Sequence, residues 1–178
     1  ALNRPCTETI AAHLSSVFVE VILAPGFTEE AQSLFTDKPS VRLLDTTSWE
    51  PKQDTLQVKS IAGGFLLQTP DQHELDMDNI SIPTKQELAD LLFSLKIVKH
   101  LKSNAILVAK NQQTQGVGYG QVSRIDAVDL AIHKAAGNVS NAVLASDAFF
   151  PFRDSIDAIA KTGIKAIIQP GGSVRDQK

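Results

Sequence analysis

The spacing of apolar positions changes character several times along this chain, and each change predicts an element. Residues 8–16 are read as a short helix. "VFVEVILAP" (17–25) is rich in β-branched residues and ends at Pro25–Gly26, which predicts a strand interrupted by Glu20. "TEEAQSLF" (28–35) starts with Thr28 as N-cap and places two acids in the first turn, where the helix dipole favours them. "VRLL" (41–44) predicts a second strand, and the polar residues 45–55 a loop. "LQVKSIAGGFLLQT" (56–69) predicts two extended segments around Gly63–Gly64. The polar, acidic stretch "PDQHELDMDN" (70–79) is the expected boundary, which divides the chain into 1–80 and 81–178.

Punctuation is clearer in the second half. Thr84 and Glu87 have capping-box spacing, and Leu88, Leu91, Leu92, Leu95 and Val98 recur at helical intervals, so 85–100 is an amphipathic helix. "AILVAK" (105–110) is a buried strand, and "GVGYGQV" (116–122) is glycine-rich and extended. Ser123 caps a helix running to about Ala136, with Gly137 as its stop. "AVLA" (142–145), a helix over 154–162 and the strand "IKAIIQP" complete the pattern. Strands alternating with helices imply an α/β layered fold with some parallel pairing.

One turn in this pattern is unusual. "SDAFFPFRD" (146–154) joins a strand to a helix, yet it holds three phenylalanines where small or polar turn formers are the rule. At least one of Phe149, Phe150 and Phe152 is expected to plug the core. The turn follows a strand's C-terminal end, where ligands bind in open α/β sheets, so the other rings are candidate stacking faces for a flat ligand.

Composition narrows the classes. Hydrophobic residues make up 43% of the 178, enough for a sizeable core. The net charge of -3 gives no basic footprint for nucleic acid. No apolar run approaches the roughly 18 residues of a membrane helix. Cys6 is the only cysteine, which excludes a disulfide framework within these residues and fits a reducing, cytoplasmic setting. The start at Ala1 and the helix-start signal of Ser173 and Asp176 at the very end read as a piece of a longer protein.

Candidate chemistry is sparse. "GVGYG" is neither G-x-G-x-x-G nor a Walker loop; it reads either as a phosphate-facing loop or as a strand whose glycines admit another backbone. Arg124 follows in the first turn of a helix, against the dipole, where a guanidinium and free N–H groups could seat a phosphate. Asn104 stands at a strand entrance, as a local cap or as an amide that both donates to and accepts from a ligand. The four histidines are scattered; His100 and His133 fall in helices and are read as surface residues. Neither H-x-E nor C-x-x-C is present, which disfavours a zinc deaminase.

"FVEVILAPGFTEEA", "SNAILVAKN", "GVGYGQVSRIDA" and "ASDAFFPFRDSIDAIAKTGIKAIIQPGGSVRD" resemble the C-terminal, transformylase part of the bacterial bifunctional purine biosynthesis family. That family couples aminoimidazole carboxamide ribonucleotide (AICAR) transformylase to IMP cyclohydrolase. The resemblance spans essentially the whole chain and is densest from Ser103 onward. It implies a cytidine-deaminase-like α/β fold, with parts of two lobes built on mixed sheets. It also implies a cytoplasmic homodimer with active sites at the subunit interface, and transfer of a formyl group from 10-formyltetrahydrofolate to the 5-amino group of AICAR.

By the same resemblance Asn104 orients the carboxamide and assists transfer, while Glu20, Arg124 and Phe149 bind the nucleotide. Ile125, Asp154, Ser173 and Val174 then serve the folate, and a potassium site near Ser103 and Asp147 is allowed, with no transition metal. The family's Lys-His pair, its general base and its charge-stabilising cation, is expected upstream of these residues. Lys99–His100 lies in the amphipathic helix and is not taken for it. The rival reading is a non-catalytic nucleotide-binding or dimerisation module of the same fold.

Overall fold

The structure is a computed structural model, and it describes residues 1–50, 56–71 and 83–172. The chain divides into two units, Ala1–Glu74 and Leu75–Lys178.

In the first unit, helix α1 (Glu8–Ser15) precedes strand β1 (Val21–Ala24), helix α2 (Glu29–Ser33) and strand β2 (Arg42–Asp45). Thr28 caps α2 by accepting the Ala31 N–H at 3.2 Å, as its position predicts. β1 and β2 pair in parallel, with Val21 opposite Arg42, so the segment between them is a crossover carrying α2. Cys6, Ala11, Ile22, Ala24, Ala31 and Phe35 form the core of this unit. The expected strand over 17–25 is shorter than its pattern. Pairing begins where the Arg42 N–H reaches the Glu20 carbonyl, and before that the partner chain turns, with Val41 N–H bonded to Lys38 O and Pro39 unable to donate. Among the described residues, 17–19 therefore have no ladder partner, and Phe18 is 91% exposed.

Strands β3 (Gln57–Ile61) and β4 (Gly64–Gln68) form an antiparallel hairpin turning at Gly63, whose φ is +82°. That matches the two extended segments expected around Gly63–Gly64. Val58 pairs with Leu67 and Ser60 with Phe65, so Val58, Leu67 and Phe65 share one face of the hairpin with Ser60, and all three apolar side chains are exposed.

The second unit has three layers. Its sheet has the order β6-β5-β7-β8, made of β5 (Ile106–Lys110), β6 (Gln113–Gly118), β7 (Val143–Ser146) and β8 (Ala166–Ile168). β5 runs antiparallel to β6 and β7, while β7 and β8 are parallel. This is a mixed sheet of an α/β fold. Alternation assigns the faces. Leu107, Ala109, Val143 and Ala145 pack with Leu91 and Val98 of α3 (Lys85–Val98). Ile106, Val108 and Leu144 pack on the opposite side with Val128 of α4 (Arg124–Ala135) and Ile159 of α5 (Arg153–Ala160). Because both faces are covered, β7 is buried throughout and residues 143–145 form an unbroken apolar run rather than an alternating one, with buried Ser146 at its end.

The helix starts follow the expected chemistry. Thr84 Oγ1 accepts the Glu87 N–H at 3.2 Å and Glu87 accepts the Thr84 N–H at 2.8 Å, which completes the capping box of α3. Ser123 Oγ accepts the Asp126 N–H at 3.1 Å at the start of α4. Its other end closes on Ala136 at φ +44° and Gly137 at φ +89°.

Two features were not legible in advance. β6 begins at Gln113, three residues earlier than the glycine-rich stretch, because Asn111 and Gln112 make a two-residue hairpin turn with φ of +54° and +53°. That turn is tied down by Asp90 of α3, a carboxylate 3% exposed that accepts the Asn111 N–H at 3.0 Å and the Gln112 N–H at 2.6 Å.

The glycines of β6 serve packing. A Cβ on Gly116 would stand 2.1 Å from the Ala131 carbonyl oxygen, and one on Gly118 would stand 2.1 Å from that of Ala127. Of the two readings of "GVGYG", the one in which another backbone comes close is the one observed, and that backbone is α4. Gly118→Ala must therefore push α4 off the sheet. The expected loss is about 1–3 kcal/mol, or roughly 4–20 °C in the melting temperature of a unit this size, read by thermal denaturation. Gly120→Ala, with nothing within 4 Å of its Cβ, meets only the strain of φ +66°. It should cost about 1 kcal/mol.

Candidate functional site

Three chain segments reach the same end of the second unit's sheet. Asn104 enters β5 at its N-terminal end, Asp147 leaves β7 at its C-terminal end, and Gln121 follows β6. Antiparallel pairing of β5 with its two neighbours makes this meeting unavoidable: the start of β5 must lie beside the ends of β6 and β7. α4 starts there too, since it follows β6 after five residues.

Asn104 is fixed on the β6 side. Its backbone N–H and its side-chain Nδ2 both donate to the Gln121 carbonyl, at 3.2 and 2.9 Å. The hydrogen bond through Nδ2 determines which end of the amide is committed to the protein. The peptide bond between Ser103 and Asn104 is cis.

On the β7 side the next residue is held by an ion pair. Ala105 N–H donates to Asp147 Oδ1 at 2.8 Å, and the Ala105 carbonyl accepts from Arg124 Nη1 at 3.1 Å. Nη1 also binds Asp147 Oδ1 directly, with the two side chains only 6% and 12% exposed. The Ser103 hydroxyl adds a further hydrogen bond to Asp147. Burial pushes the Asp147 carboxyl up, but the bonds from Ser103, Arg124 and Ala105 and the Arg124 charge outweigh it and hold the group below its ordinary value. The basic residue at the start of α4 thus finds its counter-charge within the protein. Arg124 Nε is buried, and among the described residues it has no hydrogen-bond partner.

The aromatic turn divides its rings. Phe150 is 7% exposed and belongs to the core under α4 and α5, so it is the plug. Phe149 and Phe152 are 39% and 59% exposed. The turn is pinned by the Phe150 N–H to Gln169 Oε1 at 2.8 Å and the Ser146 hydroxyl to the Ala148 carbonyl at 2.6 Å. Gln169, just past β8, belongs to the "QPGG" run of the stretch that carries the resemblance, although no role was expected of its side chain.

These groups surround one cleft of about 610 Å³. Asn104, Arg124, Ile125, Phe149, Phe152 and Asp154 line it, with Ser103 and Ser123. Five sequence-predicted site residues, up to 50 positions apart, are therefore brought together (Asn104 to Asp154). Asp154 sits in the first turn of α5 and accepts the Ser155 N–H at 2.7 Å. Glu20 is in the other unit, exposed, immediately before β1. Ser173 and Val174 lie outside the described residues. Among the described residues no histidine lines the cleft. His133 is exposed on α4 as read, and His100 is exposed in the turn just after α3 rather than inside the helix.

A potassium ion at Ser103 and Asp147 would need the carboxylate that Arg124 already neutralises, beside a buried guanidinium. The residues do not fit a cation, and no step is routed through one. Among the described residues no group of three or more acidic, histidine or cysteine side chains could hold a metal, and no helix is long and apolar enough to cross a membrane.

The second unit is thus an α/β unit with a polar and aromatic cleft at one end of its sheet. The sequence profile of the AICARFT/IMPCHase bienzyme matches residues 1–134, and the chain belongs to that family. Curated relatives agree. The chain is 46% identical over 182 residues to the bifunctional purine biosynthesis protein PurH of Oceanobacillus iheyensis, covering 99% of this chain and 36% of the relative. It is 46% identical over 186 residues to the PurH of Acetivibrio thermocellus, covering 100% and 36%. For Magnetococcus marinus PurH the identity is 46% over 195 residues, covering 100% and 37%. The chain spans about 36% of the length of these relatives.

The lowered Asp147 carboxyl makes a pH prediction. A group depressed on folding stabilises above its unfolded value and loses that contribution as pH falls through its folded one. Wild type should exceed Asp147→Asn in stability by about 3 kcal/mol at neutral pH, the low end for leaving a buried charge unpaired. The gap should close as pH drops below about 4. Urea unfolding of both proteins from pH 7 to pH 3 measures it, and a constant gap would contradict the assignment.

Proposed function

We propose that this chain carries part of the AICAR formyltransferase site of its family, in which a formyl group passes from 10-formyltetrahydrofolate to the 5-amino group of AICAR. The observation that carries the reading is the gathering of Asn104, Arg124, Ile125, Phe149 and Asp154 around one cleft. The chemistry is consistent with those residues. The amine of AICAR attacks the formyl carbon, the bond from that carbon to N10 of the folate breaks, and the proton lost by the amine ends on N10. The amine is a poor nucleophile because its lone pair is delocalised into the ring, so placement and charge stabilisation dominate.

Each residue has a role in this reading. Asn104, held through Nδ2, presents its amide to the carboxamide beside the reacting amine. Phe149 offers the aminoimidazole a rigid face. Among the described residues only Nη1 of Arg124 is engaged, which leaves Nη2 for a nucleotide oxygen at the N-terminus of α4. Asp154 and Ile125 serve the pterin side. By the family resemblance Glu20 is assigned to the nucleotide and Ser173 and Val174 to the folate, and the enzyme is a cytoplasmic homodimer. The base that removes the proton is assigned to the family's Lys-His pair; among the described residues no histidine lines the cleft.

Asn104→Ala, made in a full-length family member carrying these residues, should lower formyl transfer about 10²-fold, the loss for one positioned polar group. Ring closure to IMP should be unchanged. Tetrahydrofolate release and IMP formation are measured separately. Retained formyl transfer with impaired ring closure would instead place the cleft in the cyclohydrolase half of the chemistry, and both activities unchanged would leave a binding module.

Ligand preference gives a second check by calorimetric titration. Asp154→Ala should weaken folate binding about 10- to 100-fold, as for a charged hydrogen bond, and leave AICAR affinity within twofold. Phe149→Ala should do the reverse, weakening AICAR by about 2- to 10-fold. Equal losses for both ligands in both variants would mean that the turn has collapsed.

A further inference from the structure

Asp147 has no assigned place in the chemistry, yet it touches more of the cleft's framework than any residue proposed to meet a ligand. Its Oδ1 receives the Ala105 N–H at 2.8 Å and the Arg124 guanidinium, and its carboxylate takes the Ser103 hydroxyl as well. Its own N–H donates to the Ala105 carbonyl at 3.2 Å, the same oxygen that Arg124 Nη1 reaches at 3.1 Å. The N–H and the carbonyl of Ala105 are thus both gripped by one ion pair.

Asn104 is the residue between this grip and the Gln121 carbonyl. Its backbone is held from both sides, and the direction of its side chain follows. Arg124 is placed by the same contacts: it is 7% exposed, and among the described residues its bonds are made through Nη1.

We infer that Asp147 is a positioning residue, which sets through Ala105 and Arg124 the place from which Asn104 and Arg124 address the bound nucleotide. The inference rests on the formyltransferase reading of the cleft. It goes beyond stability. A buried ion pair is a weak stabiliser compared with an apolar pair of the same volume, and one that leaves Arg124 Nε without a partner is weaker still. What the pair supplies is geometry at the mouth of β5, where an error of about 1 Å costs about 10² in rate.

The test is a double-mutant cycle on formyl transfer in a full-length family member carrying these residues. Asp147→Asn keeps the shape and an acceptor for the Ala105 N–H but releases the guanidinium. It should lower kcat about 10²-fold. If it acts through Asn104, Asp147→Asn added to Asn104→Ala should cost less than about threefold more, since residues acting as a unit are not additive. Should Asp147→Asn fold poorly, Ser103→Ala removes one bond to Asp147 without unpairing a charge. It should lower kcat about 2- to 10-fold, and this loss too should vanish in the Asn104→Ala background.

Losses that multiply in either double variant would overturn the inference and leave a structural ion pair. So would a folded Asp147→Asn, or a Ser103→Ala, of unchanged kcat while Asn104→Ala is impaired; that result would spare the formyltransferase reading. Unchanged formyl transfer in Asn104→Ala would overturn both.

Discussion

The contact between the backbone of β6 and that of α4 governs the second unit. Gly116 and Gly118 let the Ala131 and Ala127 carbonyls come so near the strand that no side chain fits between them. On its inner face the helix answers with small residues, Ala127, Ala131 and Ala135. A helix lying this close is held at a fixed height over the sheet and along it. Its first residue, Arg124, is then at the right depth to enter the sheet's end, meet Asp147 and grip Ala105. The site's polar geometry is thus inherited from an apolar fit several residues away.

That inheritance explains why polar groups this strongly interacting can be buried at all. An isolated guanidinium at 7% exposure would be costly to desolvate. Here the carboxylate that offsets it comes from the adjoining strand's end, where chain direction obliges β7 to finish beside the start of β5. The pair also closes the ladder. Regular β5–β7 pairing ends at Ile106 and Ser146, and the Ala105 to Asp147 bonds continue it by one residue. A small change of sequence at Asp147 therefore touches sheet termination, charge balance and the direction of Asn104 together.

Much of this was legible in the sequence because it rests on local rules. The capping box at Thr84, the caps at Thr28 and Ser123, and the apolar runs of β5 and β7 are short-range signals, and they hold. The turn at Asn111–Gln112 was missed because it lacks the glycine that marks most such hairpins; Asp90, 21 residues upstream, supplies the hydrogen bonds that hold it. The strand over 17–25 was read too long because periodicity cannot show where a partner stops. Site residues were nameable one at a time, and Arg124 stood out as a cation against the dipole. What sequence could not show is that its counter-charge is Asp147. That pairing depends on a β5–β7 register that brings together Ala105 and Asp147, 42 positions apart in the sequence.

The three phenylalanines resolve on the same principle. A turn at the C-terminal end of β7 must do two things: anchor α5 to the core and form a wall for the cleft. Phe150 does the first, locked between its N–H bond to Gln169 and the core beneath α4 and α5. With that ring buried, the chain on either side is fixed, so Phe149 and Phe152 are presented outward without freedom to sink. Small turn formers would have given a looser loop and no wall. The rings cost little conformational entropy to hold, since each has two side-chain torsions and one neighbour already fixed. An aromatic run in a turn therefore reads as one buried anchor that makes its exposed neighbours rigid. The cleft's apolar wall is as dependent on Phe150, which does not line it, as its polar wall is on the glycines of β6.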